Sequence, residues 1–121
     1  MITSKVNMAY KVSITEGADR QFRALSARDQ RRLEAAIASR LHHDPETPTK
    51  AIKQLRPNLF AKFELRAGDL RALYNVEADE VIVLLVGKKI GNKLIVEGEE
   101  FHGHQDDSAK PTGNGPQKDA E

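Results

Sequence analysis

The stretch from Phe60 to Lys89, FAKFELRAGDLRALYNVEADEVIVLLVGKK, constrains the fold more than any other part of the chain. It holds three strand-like runs joined by two short turns, Ala67-Gly68-Asp69 and Glu77 to Glu80. Runs joined this tightly pair as antiparallel strands. In the first run Ala61, Phe63 and Leu65 alternate with Lys62, Glu64 and Arg66, which places the charged set together on one face. In the second, Leu70, Ala72, Tyr74 and Val76 alternate with Arg71, Leu73, Asn75 and Glu77. The third, Val81 to Val86, is apolar on both parities and suits a central strand. The meander therefore gathers Arg66, Arg71, Lys88 and Lys89 on one small sheet. A cluster of cations on such a sheet suits a phosphate-rich or acidic partner.

Upstream, Tyr10 to Ile14 alternates apolar and polar residues, giving a half-buried first strand. Glu16 to Ala24, with Ala18, Phe22 and Leu25 at helical spacing, predicts a short amphipathic helix. Ser26-Ala27-Arg28-Asp29 resembles a capping box with Asp in place of Glu, and it opens a second helix. Leu33, Ala36, Ile37 and Leu41 form that helix's apolar stripe, which should end near Asp44-Pro45. Glu46 to Pro57 reads mostly as connector, with Ile52 and Leu55 tucked under the sheet. After the meander, Gly91-Asn92 turns into a short last strand, Lys93 to Val96. The expected class is α+β: an N-terminal strand, then two helices packed on one face of a small, mainly antiparallel sheet. Residues 9–101 form the expected domain. Residues 1–8 read as a flexible extension, and 102–121, rich in Gly, Pro, Asp, Lys, Gln and Ser, as a disordered polar tail.

At 121 residues the chain supports one domain with a modest core, and with 5% aromatics and no Trp that core must be aliphatic. The absence of Cys removes disulfides and thiolate metal sites and fits a reducing cytosol. Val81 to Val86 is far too short to cross a bilayer, and Met1 to Asn7 leads into no apolar stretch. The expectation is a cytoplasmic protein with no membrane partner. The net charge of +1 hides an asymmetry, since residues 50–93 carry nine basic side chains against five acidic ones. Any nucleic-acid affinity should then come from one face rather than from a general polycation. His102 and His104 resemble a metal pair only in passing, so neither metal nor cofactor is expected.

The order strand, two helices, three-strand meander, with L-R-x-G-x-x-R-x-x-Y at Leu65-Arg66-Ala67-Gly68-Asp69-Leu70-Arg71-Ala72-Leu73-Tyr74, resembles the RelE/ParE superfamily of toxins from type II toxin–antitoxin systems. Val81 to Lys89 continues the match, and Lys53-Gln54-Leu55 with Leu59-Phe60 fits the approach to the second strand. The similarity spans roughly residues 9–101. It implies a cognate antitoxin as partner and one of two activities. RelE-like members cut mRNA in the ribosomal A site, whereas ParE-like members bind and poison DNA gyrase without chemistry of their own. A third possibility is a degenerate relative that keeps only antitoxin binding.

The RelE-like reaction needs no metal. A 2′-hydroxyl attacks the adjacent phosphate, so the protein must supply a base, cations for the developing charge and an acid for the leaving 5′-oxygen. By resemblance, Arg71 occupies the arginine expected at the scissile phosphate, and Lys62 one of two strand lysines, with Glu64 in place of the second. Lys89 stands where RelE has a further arginine, keeping the charge but losing the bidentate fork. His102, in Phe101-His102-Gly103-His104, is the candidate acid, since the C-terminal Tyr of RelE has no clear counterpart. Lys53, Arg56, Arg66 and Lys88 are the candidate nucleic-acid contacts. Ribosome and mRNA are the implied partners, favoured because Lys62, Arg71 and Lys89 survive together; gyrase is the alternative.

Plainer readings stand beside these. Arg71 pairs with Glu64 or Asp69 on the sheet surface, Lys88 and Lys89 protect a strand edge, and Glu64 is a solvated strand residue rather than a base. Tyr74 falls on the core parity and packs there. His42-His43 near a helix end is a solvent pair favoured by the dipole.

Overall fold

The computed structural model describes residues 9–102, so the readings of 1–8 and of the tail from 103 onward lie outside the described residues. The chain runs β1 (Lys11–Ile14), α1 (Glu16–Arg23), α2 (Ala27–Arg40), β2 (Ile52–Gln54), β3 (Phe63–Ala67), β4 (Leu70–Glu77), β5 (Glu80–Ile90), β6 (Lys93–Val96) and β7 (Glu99–Glu100). Both helices start at a hydroxyl cap. Thr15 Oγ1 accepts from the Ala18 amide and Ser26 Oγ from the Asp29 amide, each at 3.1 Å, satisfying amides that the first turn leaves without a partner. The second helix ends at Arg40 with Leu41 as its cap, a few residues short of Asp44-Pro45.

The strands form one sheet in the order β2-β3-β4-β5-β6-β7, antiparallel throughout, while β1 adds to β5 in parallel. Strand β5 is the axis of the fold. Along one edge it pairs with the whole of β4; along the other, β1 takes Glu80–Val83 and β6 takes Lys88–Ile90. A bulge between Leu73 and Tyr74 leaves Leu84 with no opposite residue. The face order of β5 therefore shifts by one, and Val81, Val83 and Val86 all reach the helix side. This is how a run apolar on both parities is used.

Two clusters sandwich the sheet. Ala18 and Leu33 from the helices meet Leu65, Leu70, Ala72, Tyr74 and Val83 on one face. Leu33, Leu65 and Leu70 are fully buried, and each such side chain contributes about 1.5–3 kcal/mol. The Tyr74 hydroxyl donates to the Pro45 carbonyl at 2.6 Å, and burial, with Glu46 and Asp44 nearby, pushes its pKa far up. The opposite face, expected to be charged and open, holds a second cluster: Leu55, Ala61, Leu73, Leu85 and Leu94, covered by Phe60 and Phe101. Those two rings meet at 5.2 Å. The connector is not only a connector. Ile52–Gln54 pairs with β3 as an edge strand, Ile52 facing the helix side and Leu55 joining the second cluster.

Candidate functional site: a basic cleft at the sheet edge

Gly68 and Asp69 form the two-residue loop of the β3–β4 hairpin, with Gly68 at φ +61° in the first position, the pattern of a type II′ turn. This turn fixes the register so that Arg66 stands directly opposite Arg71, and Arg71 in turn opposite Gly87 of β5. Gly87 is needed there, because a Cβ would sit 2.7 Å from the Ile95 carbonyl oxygen. Arg71 is half-buried, and its Nη1 donates to the carbonyls of Gly68 at 2.8 Å and Leu70 at 2.9 Å. The hairpin tip thus holds the guanidinium in place.

Beside this pair lie two shallow, adjoining clefts. One is lined by Arg40, Thr49, Lys50, Ala51, Arg66, Gly68 and Arg71, the other by Pro48, Thr49, Lys50, Ile52, Lys53, Gln54 and Arg66. They share Thr49, Lys50 and Arg66, and together bring five cations onto one edge with no carboxylate and no aromatic ring among the described lining residues. Like charges gathered this way repel one another unless an anion sits between them.

The carboxylate that tempers this charge lies beneath the cleft. Glu64 is only 1% exposed, its Oε1 accepts from Arg66 Nε at 3.1 Å, and its Oε2 has no hydrogen-bond partner among the described residues. Parity placed Glu64 with Lys62 and Arg66, but Glu64 is not solvated. The second apolar cluster closes over that face, and Leu73 and Lys53 flank Glu64 in register.

The remaining candidates divide sharply. Lys53 lines the cleft from β2. Lys89 lies on the Arg71 face, two residues beyond Gly87, and its amide donates to the Asp69 carbonyl at 2.7 Å. Lys88 points the other way. It opposes core residue Leu70, and on the helix side its Nζ meets Asp29 at 3.0 Å, on the face away from the cleft. Lys62 precedes β3, exposed, four residues along from Arg66. That is about 13 Å up the strand, too far for one phosphate to bridge Lys62 and Arg71. His102 is exposed 3.8 Å from Glu100, beyond β7. Three strand spacings, about 14 Å, separate it from Arg71, so the structure does not bring the candidate acid to the arginine. Arg56 is exposed in the connector, outside both clefts.

Arg40 and Lys50 were absent from the sequence candidates. Lys50 belonged to the basic segment but lay in apparent connector, and Arg40 ends a helix, where a cation is expected for the dipole alone. Asp29 was read only as part of a cap. Its carboxylate instead binds Lys88 and, at 2.8 Å, Arg32. The Lys88 hydrogen bond foremost, then Arg32, holds the Asp29 pKa below the usual carboxylate value against the opposing effect of burial. Among the described residues no group of three His, Asp or Glu side chains is placed to hold a metal, and no helix is long and apolar enough to cross a membrane.

A small α+β protein with a two-helix layer, a meander sheet and a cation-lined hairpin edge is the class these features define. Among solved structures, the chain is similar to a chain of the RelBE2 toxin–antitoxin complex from Mycobacterium tuberculosis. The identity is 26%, with 67% of this chain and 99% of that one covered, at a TM-score of 0.58. It also shares its fold with a chain of the archaeal RelE–RelB complex from Pyrococcus horikoshii, at 23% identity, 69% and 98% coverage and a TM-score of 0.55. No protein-family model and no curated protein sequence matches. In fold, the chain is therefore similar to chains of RelE-type toxin–antitoxin complexes.

Proposed function

We propose that the protein is the toxin of a type II toxin–antitoxin pair, held in check by a cognate antitoxin, and that it acts as a metal-independent, ribosome-dependent mRNA endoribonuclease. The observation that carries this reading is the acid-free cleft in which Arg66 and Arg71 stand opposed. An RNA phosphate seated there would be met from two strands at once. As the 2′-hydroxyl attacks, negative charge builds on the non-bridging oxygens, and two guanidiniums held on adjacent strands stabilise it more than they stabilise the ground state. An arginine fork grips two oxygens together, which a lysine cannot do.

Proton transfer is the weaker half. Among the described residues the cleft lining offers no carboxylate, imidazole or phenol, Glu64 is buried, and His102 stands at the other side of the sheet. That observation favours the second reading, a ParE-like inhibitor of DNA gyrase, or an antitoxin-binding relative, in which the cations bind and do no chemistry.

Arg71→Ala separates the cases. Losing a contact made to transition-state charge costs about 2.7–4 kcal/mol, roughly a hundred- to thousandfold in rate. Folded Arg71→Ala protein should lose growth arrest and mRNA cleavage on ribosomes together. Full toxicity in a folded variant overturns the assignment. Wild-type toxicity that halts replication and leaves mRNA intact moves the case to gyrase.

A further inference from the structure

The two clefts make a track, and its contents limit what can lie in it. Lys53 and Gln54 mark one end, Lys50 and Arg66 the shared middle, and Arg40, Gly68 and Arg71 the other end. Some cations elsewhere have acidic neighbours: Arg20 has Glu97, Arg23 has Asp19, and Arg32 and Lys88 have Asp29. Arg40 and Lys50 are exposed and have no ion pair among the described residues. Lys50 is also held in place. Thr49 Oγ1 accepts from the amides of Ala51 and Ile52 at 3.0 and 3.1 Å, and the Thr49 amide donates to the Ile52 carbonyl at 2.8 Å, so the turn that carries Lys50 is stapled on both sides.

Resting on the reading that this cleft meets RNA, we infer that a single RNA strand lies along the β2 edge, its successive phosphates meeting Lys53, Lys50 with Arg66, then Arg71 with Arg40. The strand is gripped by its backbone and its bases are not read here. Three features carry this. Among the described residues the lining has no aromatic ring on which a base could stack, and stacking platforms are the usual means of holding unpaired bases. It has, among the described residues, no carboxylate to accept from a base amino group or to repel phosphate. The two clefts are shallow and adjoin through Thr49, Lys50 and Arg66, giving a continuous open path along the β2 edge on which an unpaired strand can lie. Diagonal neighbours on adjacent strands are about 7–8 Å apart, as Arg66 and Lys53 are by register, a spacing that suits consecutive phosphates rather than one.

Counterion release makes the count of phosphate contacts measurable. For single strands the slope of log K against log salt is about −0.7 per neutralised phosphate. The experiment is fluorescence anisotropy of a labelled uridine dodecamer with the full-length protein across a salt series. Arg40→Gln and Lys50→Gln, each removing one of the two cations that meet a phosphate, should each flatten the wild-type slope by up to about 0.7, and the double variant by up to about 1.4. Arg31→Gln, an exposed cation on α2 away from the cleft, should leave the slope unchanged. All three positions are exposed, so circular dichroism melts should match wild type. Slopes unaltered in the Arg40 and Lys50 variants overturn the track while leaving RNA binding at Arg71 in place. Tighter binding of a duplex of equal length overturns the single-strand assignment. Failure of the wild type to bind the dodecamer even at low salt overturns the track, while the ribonuclease reading stands or falls separately on mRNA cleavage on ribosomes.

Discussion

Arg66 and Glu64 form a pair whose two halves should respond very differently to mutation. Glu64 is 1% exposed, and its one described hydrogen bond comes from Arg66 Nε at 3.1 Å. Replacing Arg66 with Met keeps the aliphatic stem against the sheet and removes the guanidinium, leaving a desolvated carboxylate. Breaking a buried pair in this way costs about 3–5 kcal/mol. Two circumstances reduce it here: the Arg66 side chain is 36% exposed, and its loss relieves the direct opposition to Arg71. The expected cost of Arg66→Met is therefore about 2–3 kcal/mol. At about 4–8 °C per kcal/mol for a domain of this size, the thermal midpoint falls by roughly 8–24 °C. Glu64→Gln keeps an acceptor for Arg66 and removes the buried charge, trading a charge-assisted bond for a neutral one at a cost of about 1 kcal/mol.

The decisive quantity is the double variant. With the carboxylate gone there is nothing to orphan, so Glu64→Gln with Arg66→Met should be no less stable than Arg66→Met alone. The double-mutant cycle should show a coupling of about 1–2 kcal/mol. Urea denaturation followed by circular dichroism gives all four free energies under one condition. Additive single effects, or an Arg66→Met change milder than Glu64→Gln, would show that Glu64 is balanced by something other than Arg66.

Asp29 gives a pH signature. Its folded pKa is depressed, chiefly by Lys88, so its stabilisation is present above the ordinary Asp value of about 3.9 and is lost as pH falls through the lower folded value. Thermal melts from neutral to acid pH should show that component vanish in Asp29→Asn, and an unchanged acid limb would refute it. Tyr74→Phe leaves the buried Pro45 carbonyl without its donor and should cost about 1–3 kcal/mol in urea unfolding. In the wild type, the Tyr74 share of the phenolate absorbance should emerge only as the protein unfolds in alkali. Gly87→Ala forces a methyl to 2.7 Å from the Ile95 carbonyl and 3.0 Å from Val96 Cγ2, and should destabilise by about 1–3 kcal/mol, with amide exchange fastest along β6.

What the sequence made legible was local. Alternation in Phe63–Ala67 and Leu70–Glu77 assigned both strands and the core side of each, because a period of two needs no knowledge of the partner. Ser26 announced α2 through a bond only three residues long. The errors came where partners are remote. Ile52–Gln54 is three residues, too short for a pattern, and becomes a strand only because β3 offers an edge, with the Arg66 amide donating to the Ala51 carbonyl at 2.7 Å. Glu64 had the right parity and the wrong environment, since its burial depends on the connector and Phe101 folding over that face. Adjacent lysines in one run looked like one patch, yet consecutive strand residues leave on opposite sides, and Lys88 finds Asp29 across 59 positions of sequence.

That division of the cations also explains how the cleft keeps its shape. Helix α2 spans 14 residues, about 21 Å, and touches the site at its far end through Arg40. Its near end is tied down by Asp29, which binds Lys88 of β5, while Arg32 and Lys88 also lie 3.7 and 3.9 Å from Asp69 on the hairpin tip. The same tip supplies the Gly68 carbonyl that holds Arg71. One loop of two residues therefore fixes the arginine on one face of the sheet and anchors the helix on the other. The position of Arg40 relative to Arg71 is set through that anchor rather than by any direct bond between them. Lys88 thus shapes the cleft from the opposite face of the sheet, by holding in place the helix that brings Arg40 to it.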